Sequence, residues 1–110
     1  MKVQAITRYV RISPRKALEV TREIQGMPAL KALDTLKFMP LKAARIVFKT
    51  LSSAVANAEN NNKLSRESLR IVEAATQTAP TLKRTGSRAR GSSTLIRKRA
   101  SHIKIVLSDE

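Results

Sequence analysis

The sequence predicts an α+β fold, with three helices packed on a three-stranded antiparallel sheet and a long basic β-hairpin protruding from it. Three observations carry that expectation. The patterned segments run strand, helix, helix, helix, strand, strand, and helices grouped between strands argue against the βαβ alternation of a parallel sheet. Ala44, Phe48, Leu51, Val55 and Ala58 fall at helical spacing along one continuous face. Near the C-terminus Ile103, Ile105 and Leu107 alternate with other residues, as one buried face of a strand requires.

Taken in order, residues 2–12 (KVQAITRYVRI) are rich in Val, Ile, Thr and Tyr and read as a strand, with Ile6, Val10 and Ile12 on one side. Ser13 is a favoured N-cap, and Pro14 suits the first helical position because its missing N–H has no helical partner there. A helix over about 14–25 places Ala17, Val20 and Ile24 on one face, and Gly26 closes it. Pro28 starts a shorter helix over roughly 28–38 that buries Leu30, Leu33 and Leu36. Pro40 stops it and opens the third helix, over 41–60, which the Asn60-Asn61-Asn62 run is expected to end. Residues 68–79 and 95–107 read as the two remaining strands.

The chain of 110 residues is one domain's worth of polypeptide. The expected globular part covers about 1–79 and 100–110, and the hairpin about 80–99. Only Tyr9, Phe38 and Phe48 are aromatic, so the core must be built mainly from Leu, Ile, Val and Ala. Twenty-two Lys and Arg against eight Asp and Glu give a formal net charge of +14. A compact domain with that excess repels itself, and a polyanion relieves the repulsion. Nucleic acid is the leading partner, because each phosphate paired with a cation releases condensed counterions. No apolar stretch approaches the about 20 residues needed to span a bilayer, and no secretory signal is visible, so no membrane is expected. The absence of cysteine excludes disulfides and thiolate metal sites and fits a reducing cytoplasm.

Residues 74–108 contain no acidic side chain, yet they hold Lys83, Arg84, Arg88, Arg90, Arg97, Lys98, Arg99 and Lys104. The part joining the two strands, 80–99, has few apolar residues to dock on a core. Continued outward as a hairpin, each arm of about ten residues reaches on the order of 30 Å. Gly86 and Gly91 bracket the expected turn. A two-stranded ribbon with like charges facing one another is marginal in water, so it is expected to order against a phosphate-rich partner. Arginine suits that partner through planar, bidentate phosphate contacts. The ribbon has no aromatic stacking platform. A second basic group, Arg8, Arg11, Arg15 and Lys16, surrounds the first strand and the start of the first helix, whose N-terminal N–H groups also favour an anion.

Three pieces carry a family resemblance: Arg8-Tyr9-Val10-Arg11-Ile12-Ser13-Pro14-Arg15-Lys16; Ala54-Val55-Ala56-Asn57-Ala58; and Leu82-Lys83-Arg84 through Arg88-Ala89-Arg90-Gly91 to Lys98-Arg99-Ala100-Ser101-His102-Ile103. In that order and spacing they resemble the family of protein twenty-two of the bacterial large ribosomal subunit, over essentially the whole chain. The resemblance implies a structural constituent that binds 23S-type ribosomal RNA, supports subunit assembly, and is a monomer within the ribosome. It also implies contacts with neighbouring ribosomal proteins and a hairpin that lines the nascent-peptide exit tunnel, touches the passing peptide and affects macrolide sensitivity. Lys83, Arg84, Arg88, Arg90, Arg97, Lys98 and Arg99 fall on the family's basic hairpin, with Thr85, Gly86, Ser87, Arg88, Ala89, Arg90, Gly91 and Ser92 at its tip. The chain departs from the family's pattern at Thr85-Gly86-Ser87, where two apolar residues and a proline are expected, and at Ser92-Ser93, where Arg-Ala is expected.

Two other function classes fit less well. For an enzyme, the single histidine, His102, has no cysteine to activate and no Asp or Glu within six residues of it in sequence, so it reads as a strand residue that hydrogen-bonds RNA or backbone. Glu19, Glu23, Asp34 and Glu59 lie on expected helices and read as solvated faces or local ion pairs. No phosphate-binding Gly-rich loop, metal-ligand cluster or cofactor motif is present. An architectural DNA-binding protein with a basic β-ribbon arm is the alternative, but such arms often carry an apolar or proline wedge that this tip lacks.

Overall fold

The computed structural model describes residues 2–80, 82–87 and 93–109, with 82–87 and 93–98 as backbone only. Strand β1 (Lys2–Val10) is followed by α1 (Pro14–Ile24), α2 (Ala29–Phe38) and α3 (Lys42–Asn62). A short 3-10 turn (Arg66–Ser68) leads into β2 (Arg70–Thr78), β3 (Leu82–Ser87), β4 (Ser93–Lys98) and β5 (Ser101–Ser108). The three-stranded sheet has the order β1-β5-β2 with both pairs antiparallel, and β3 and β4 form a separate antiparallel ladder.

Strand β5 is central because it is apolar where both neighbours need it to be. Ile103, Ile105 and Leu107 are fully buried under the helices. Opposite them stand Thr7, Ala5 and Val3 of β1 and Thr76, Ala74 and Ile71 of β2. Helix α1 packs on β2, α3 on β1 and β5, and α2 on α3. The expected faces of α1 and α3 hold, with Ala17, Val20 and Ile24 buried, and Ala44, Leu51, Val55 and Ala58 buried beside a half-buried Phe48. Two hydroxyl pairs tie helix to sheet, Thr7 to Thr50 at 2.7 Å and Thr21 to Thr76 at 3.2 Å. The buried Thr21 and Thr50 hydroxyls also reach the Leu18 and Ile46 carbonyls of their own helices, each at 3.2 Å, so both are satisfied.

Four details differ from the sequence reading. Ile6 is 40% exposed on the outer face, whereas Val10 is half-buried and Ile12 buried, because a bulge shifts the phase of β1 between them. Helix α2 buries Ala29, Ala32 and Leu36 while Leu30 and Leu33 are only half-buried. Small residues suit that face because α2 packs on α3 and on the 3-10 turn, at whose end the Leu69 carbonyl accepts from the Ala29 N–H at 3.0 Å. The asparagine run stays inside α3, and Lys63 takes the left-handed conformation instead (φ 56°), its N–H returning to the Ala58 carbonyl. The long C-terminal strand is split at Arg99 and Ala100, and the ladder register moves by one residue between Thr78↔Ser101 and Leu82↔Lys98. Pro80, without an N–H to give, lies at that break.

Gly26 is needed for its backbone. At φ +87° it ends α1, and its N–H donates to the Ile71 carbonyl at 3.0 Å, while the Ile71 N–H donates to Met27 at 2.9 Å. This fastens the α1–α2 connection along β2.

Two substitutions test this description by urea unfolding. Ile105→Ala removes a fully buried side chain from the central strand and should cost about 2–5 kcal/mol. Lys63→Gly relieves a positive φ at a helix end and should add about 0.5–1 kcal/mol.

Candidate nucleic-acid interface

The site begins with one extra residue in β1. Thr7 pairs with Ile103 and Val10 with Ser101, so Arg8 and Tyr9 together face His102 alone. Tyr9 occupies the left-handed region (φ 56°), and its N–H donates to Nδ1 of His102 at 3.0 Å. The two rings meet edge to face with centroids 4.8 Å apart. With Nδ1 as the acceptor, Nε2 is the ring nitrogen left to donate. Of the two partners expected of His102, RNA or backbone, the backbone one is present here.

Beyond the bulge the chain is turned over. Ile12 enters the core and its carbonyl accepts a hydrogen bond from the buried Ser101 hydroxyl at 2.7 Å. Ser13 then caps α1, accepting from the Lys16 N–H at 3.4 Å. Lys42, the first residue of α3, donates from Nζ to the Arg11 carbonyl at 3.4 Å. The N-termini of α1 and α3 and the root of the hairpin are thus brought to one place.

There they enclose an open cleft of about 750 Å³. Arg11, Lys16, Lys42 and Arg99 supply four cations, Glu19 supplies one carboxylate, and Ile12, Leu41 and Ala43 add apolar wall. Leu41 cannot cap α3 with its side chain, so the first N–H groups of that helix lack a side-chain acceptor. Four positive charges and the positive ends of two helices favour an anion with several oxygens, such as a phosphodiester.

The structure joins two groups that sequence spacing held apart. Arg11 and Lys16 from the N-terminal group meet Arg99 from the hairpin. Arg8 and Arg15 are exposed but lie outside the cleft wall. Lys104 projects from the opposite face of β5, with Nζ 3.9 Å from the Glu73 carboxylate. Lys83, Arg84, Thr85, Gly86 and Ser87 fall on β3, and Arg97 and Lys98 on β4, with Lys83 in register with Arg97. Gly86 sits within the ladder opposite Thr94 and does not flank the turn. Arg88, Ala89, Arg90, Gly91 and Ser92 lie outside the described residues. Sequence reasoning missed Lys42, whose only signal was a basic residue two positions after Pro40; its nearness to Arg11 is a tertiary fact. Among the described residues no group of His, Asp and Glu could hold a metal ion, and no helix is long and apolar enough to cross a membrane.

A family model described as ribosomal protein L22p/L17e matches residues 5–108. The large ribosomal subunit protein uL22 of Opitutus terrae is 50% identical over 109 residues, covering 99% of this chain and 96% of that protein. The protein of the same name from Akkermansia muciniphila is 46% identical over 110 residues, covering 100% of this chain and 98% of its own length. That of Fusobacterium nucleatum is 48% identical over 110 residues, at 100% and 99% coverage.

Lys42 should matter to polyanion binding as much as the arginines do. Replacing both Lys42 and Arg99 with Gln should flatten the slope of log affinity against log salt by about 1.4–1.8 for a structured RNA, two phosphate contacts being lost. The same exchange at Arg8 and Arg15 should change it less.

Proposed function

The chain belongs to the ribosomal protein L22p/L17e family, and from this membership we propose that it is a structural, non-catalytic constituent of the large ribosomal subunit. It binds 23S-type ribosomal RNA as a monomer, contacts neighbouring subunit proteins, and supports subunit assembly in the cytoplasm. Its hairpin over about 80–99 lines the nascent-peptide exit tunnel, with the tip beside the passing peptide.

The observation that carries the RNA reading is the basic cleft of Arg11, Lys16, Lys42 and Arg99 at the root of the hairpin. A site of this kind works by scaffolding. The lysines and arginines displace the counterions condensed on the phosphates, which supplies affinity without reading sequence. The helix N-termini fix the position of the bound backbone, and shape then directs the basic hairpin. Arg8 and Arg15, and Lys83, Arg84, Arg97 and Lys98 of the hairpin, continue the positive charge along the RNA, while Lys104 lies on the opposite face beside Glu73. His102 acts inward, by holding the bulge that seats Arg11.

Gradient sedimentation of a lysate, probing for this chain across free, small-subunit, large-subunit and whole-ribosome fractions, tests the proposal. Near-stoichiometric protein in the large-subunit and ribosome fractions after a high-salt wash is the expected result. Protein found free or with DNA would overturn it.

A further inference from the structure

A second cleft, of about 500 Å³, opens beside the basic one and shares Leu41 and Lys42 with it. Its character differs. Leu36, Met39, Leu41 and Phe48 give it apolar walls, while its charged lining residues are Lys37, Lys42 and Arg45, all cations. It lies at the corner between α2 and α3, where Leu41 is 47% exposed and Phe38, beside Met39 in the chain, 80% exposed.

We propose that this cleft receives one unpaired base of the RNA whose phosphates occupy the basic cleft. The inference rests on the RNA-binding reading above and specifies which RNA feature the body of the protein selects. A nucleobase has apolar faces and a charged backbone on either side of it, and the two clefts reproduce that pattern in adjacent positions. The apolar walls take the base, with Met39 and Leu41 as adaptable surfaces against its faces. Lys37, Lys42 and Arg45 take the flanking phosphates, and Lys42 serves both clefts, so the backbone passes from one to the other without a break in neutralisation. A protein partner would have to bring acidic groups to three cations and then turn away from the basic cleft next door; the continuity of charge favours the polyanion. A fully paired RNA helix keeps its bases stacked and has none to insert, so the clefts select a bulge or loop.

Met39 offers a clean test because it lines the second cleft and not the basic one. Met39→Ala removes part of the apolar wall from a half-buried position and leaves the N–H groups at the start of α3 untouched, and urea unfolding checks that the fold is retained. The full chain is titrated with two RNAs of equal charge, one fully paired and one carrying a single bulged 2-aminopurine. The wild-type chain should prefer the bulged RNA and change its fluorescence. Met39→Ala should weaken the bulged complex about fivefold, leave the paired one unchanged, and keep the salt slope, since a base contact releases no counterions. Arg45→Gln should lower the slope on the bulged RNA. Equal affinity of the wild type for both RNAs, or equal losses on both in Met39→Ala, overturns the base cleft and leaves RNA binding standing. Binding to neither RNA overturns RNA binding itself. Intact RNA affinities with loss of Met39→Ala from ribosomes would make the cleft a protein-docking surface, which also overturns the proposal.

Discussion

One residue too many in β1 sets the geometry on which the rest depends. A strand has a strict period of two, so inserting a residue exchanges its faces from that point onward. Before Tyr9 the even-numbered residues of β1 face outward, and Ile6 is consequently exposed. After it Val10 and Ile12 turn inward, and Arg11 turns out beside the start of α1. Tyr9 must adopt a positive φ for this, a conformation that costs a non-glycine residue energy. The cost is offset locally, because its N–H finds His102 and its ring packs on the imidazole edge. The single histidine of the chain is thereby explained as part of the bulge.

The composition suits a body that needs little from aromatic packing. None of the three aromatics is fully buried: Tyr9 and Phe38 are exposed and Phe48 is half-buried. Alanine fills much of the space where elements approach closely, as at Ala29, Ala32, Ala54 and Ala58. Close helix–sheet contact then brings Thr7, Thr21, Thr50 and Thr76 within hydrogen-bonding reach across the layers. Among the described residues Ile6, Tyr9, Leu18, Phe38, Leu41 and Val72 are the large apolar side chains left exposed, and Phe38 and Leu41 share the corner between α2 and α3.

Much of this was legible in the residues and some was not, for identifiable reasons. Local chemistry read well: Ser13-Pro14 starts α1, Gly26 ends it, and the faces of α1, α3 and β5 lie where their periodicity puts them. Tertiary choices did not. Leu30 and Leu33 look like core by hydrophobicity, but the face that α2 turns to α3 and the 3-10 turn buries Ala29, Ala32 and Leu36. The asparagines look like a helix end, yet packing of Leu64 and the 3-10 turn places the end at Lys63. The site divided in the same way. Arg11, Lys16 and Arg99 were readable as cations, but their convergence with Lys42 depends on the bulge, and a two-for-one residue count in a ladder leaves no mark in a single strand's sequence.

The placement of the cleft has a mechanical consequence for the hairpin. Ser101 begins β5 and is joined by its hydroxyl to Ile12, next to Arg11 in the cleft wall. Across from it, the Ala79 N–H donates to the Ala100 carbonyl at 3.1 Å, tying the outgoing and returning chains at their base. Arg99 stands one residue beyond that tie and belongs to both the hairpin root and the cleft. On the RNA-binding reading, a phosphate held by Arg99, Arg11 and Lys42 is therefore held at the end of the sheet, beside the Ser101–Ile12 and Ala79–Ala100 hydrogen bonds. The ladder beyond is a ribbon that is marginal by itself. On the same reading, a contact at its root leaves fewer orientations for the arm's own contacts to select.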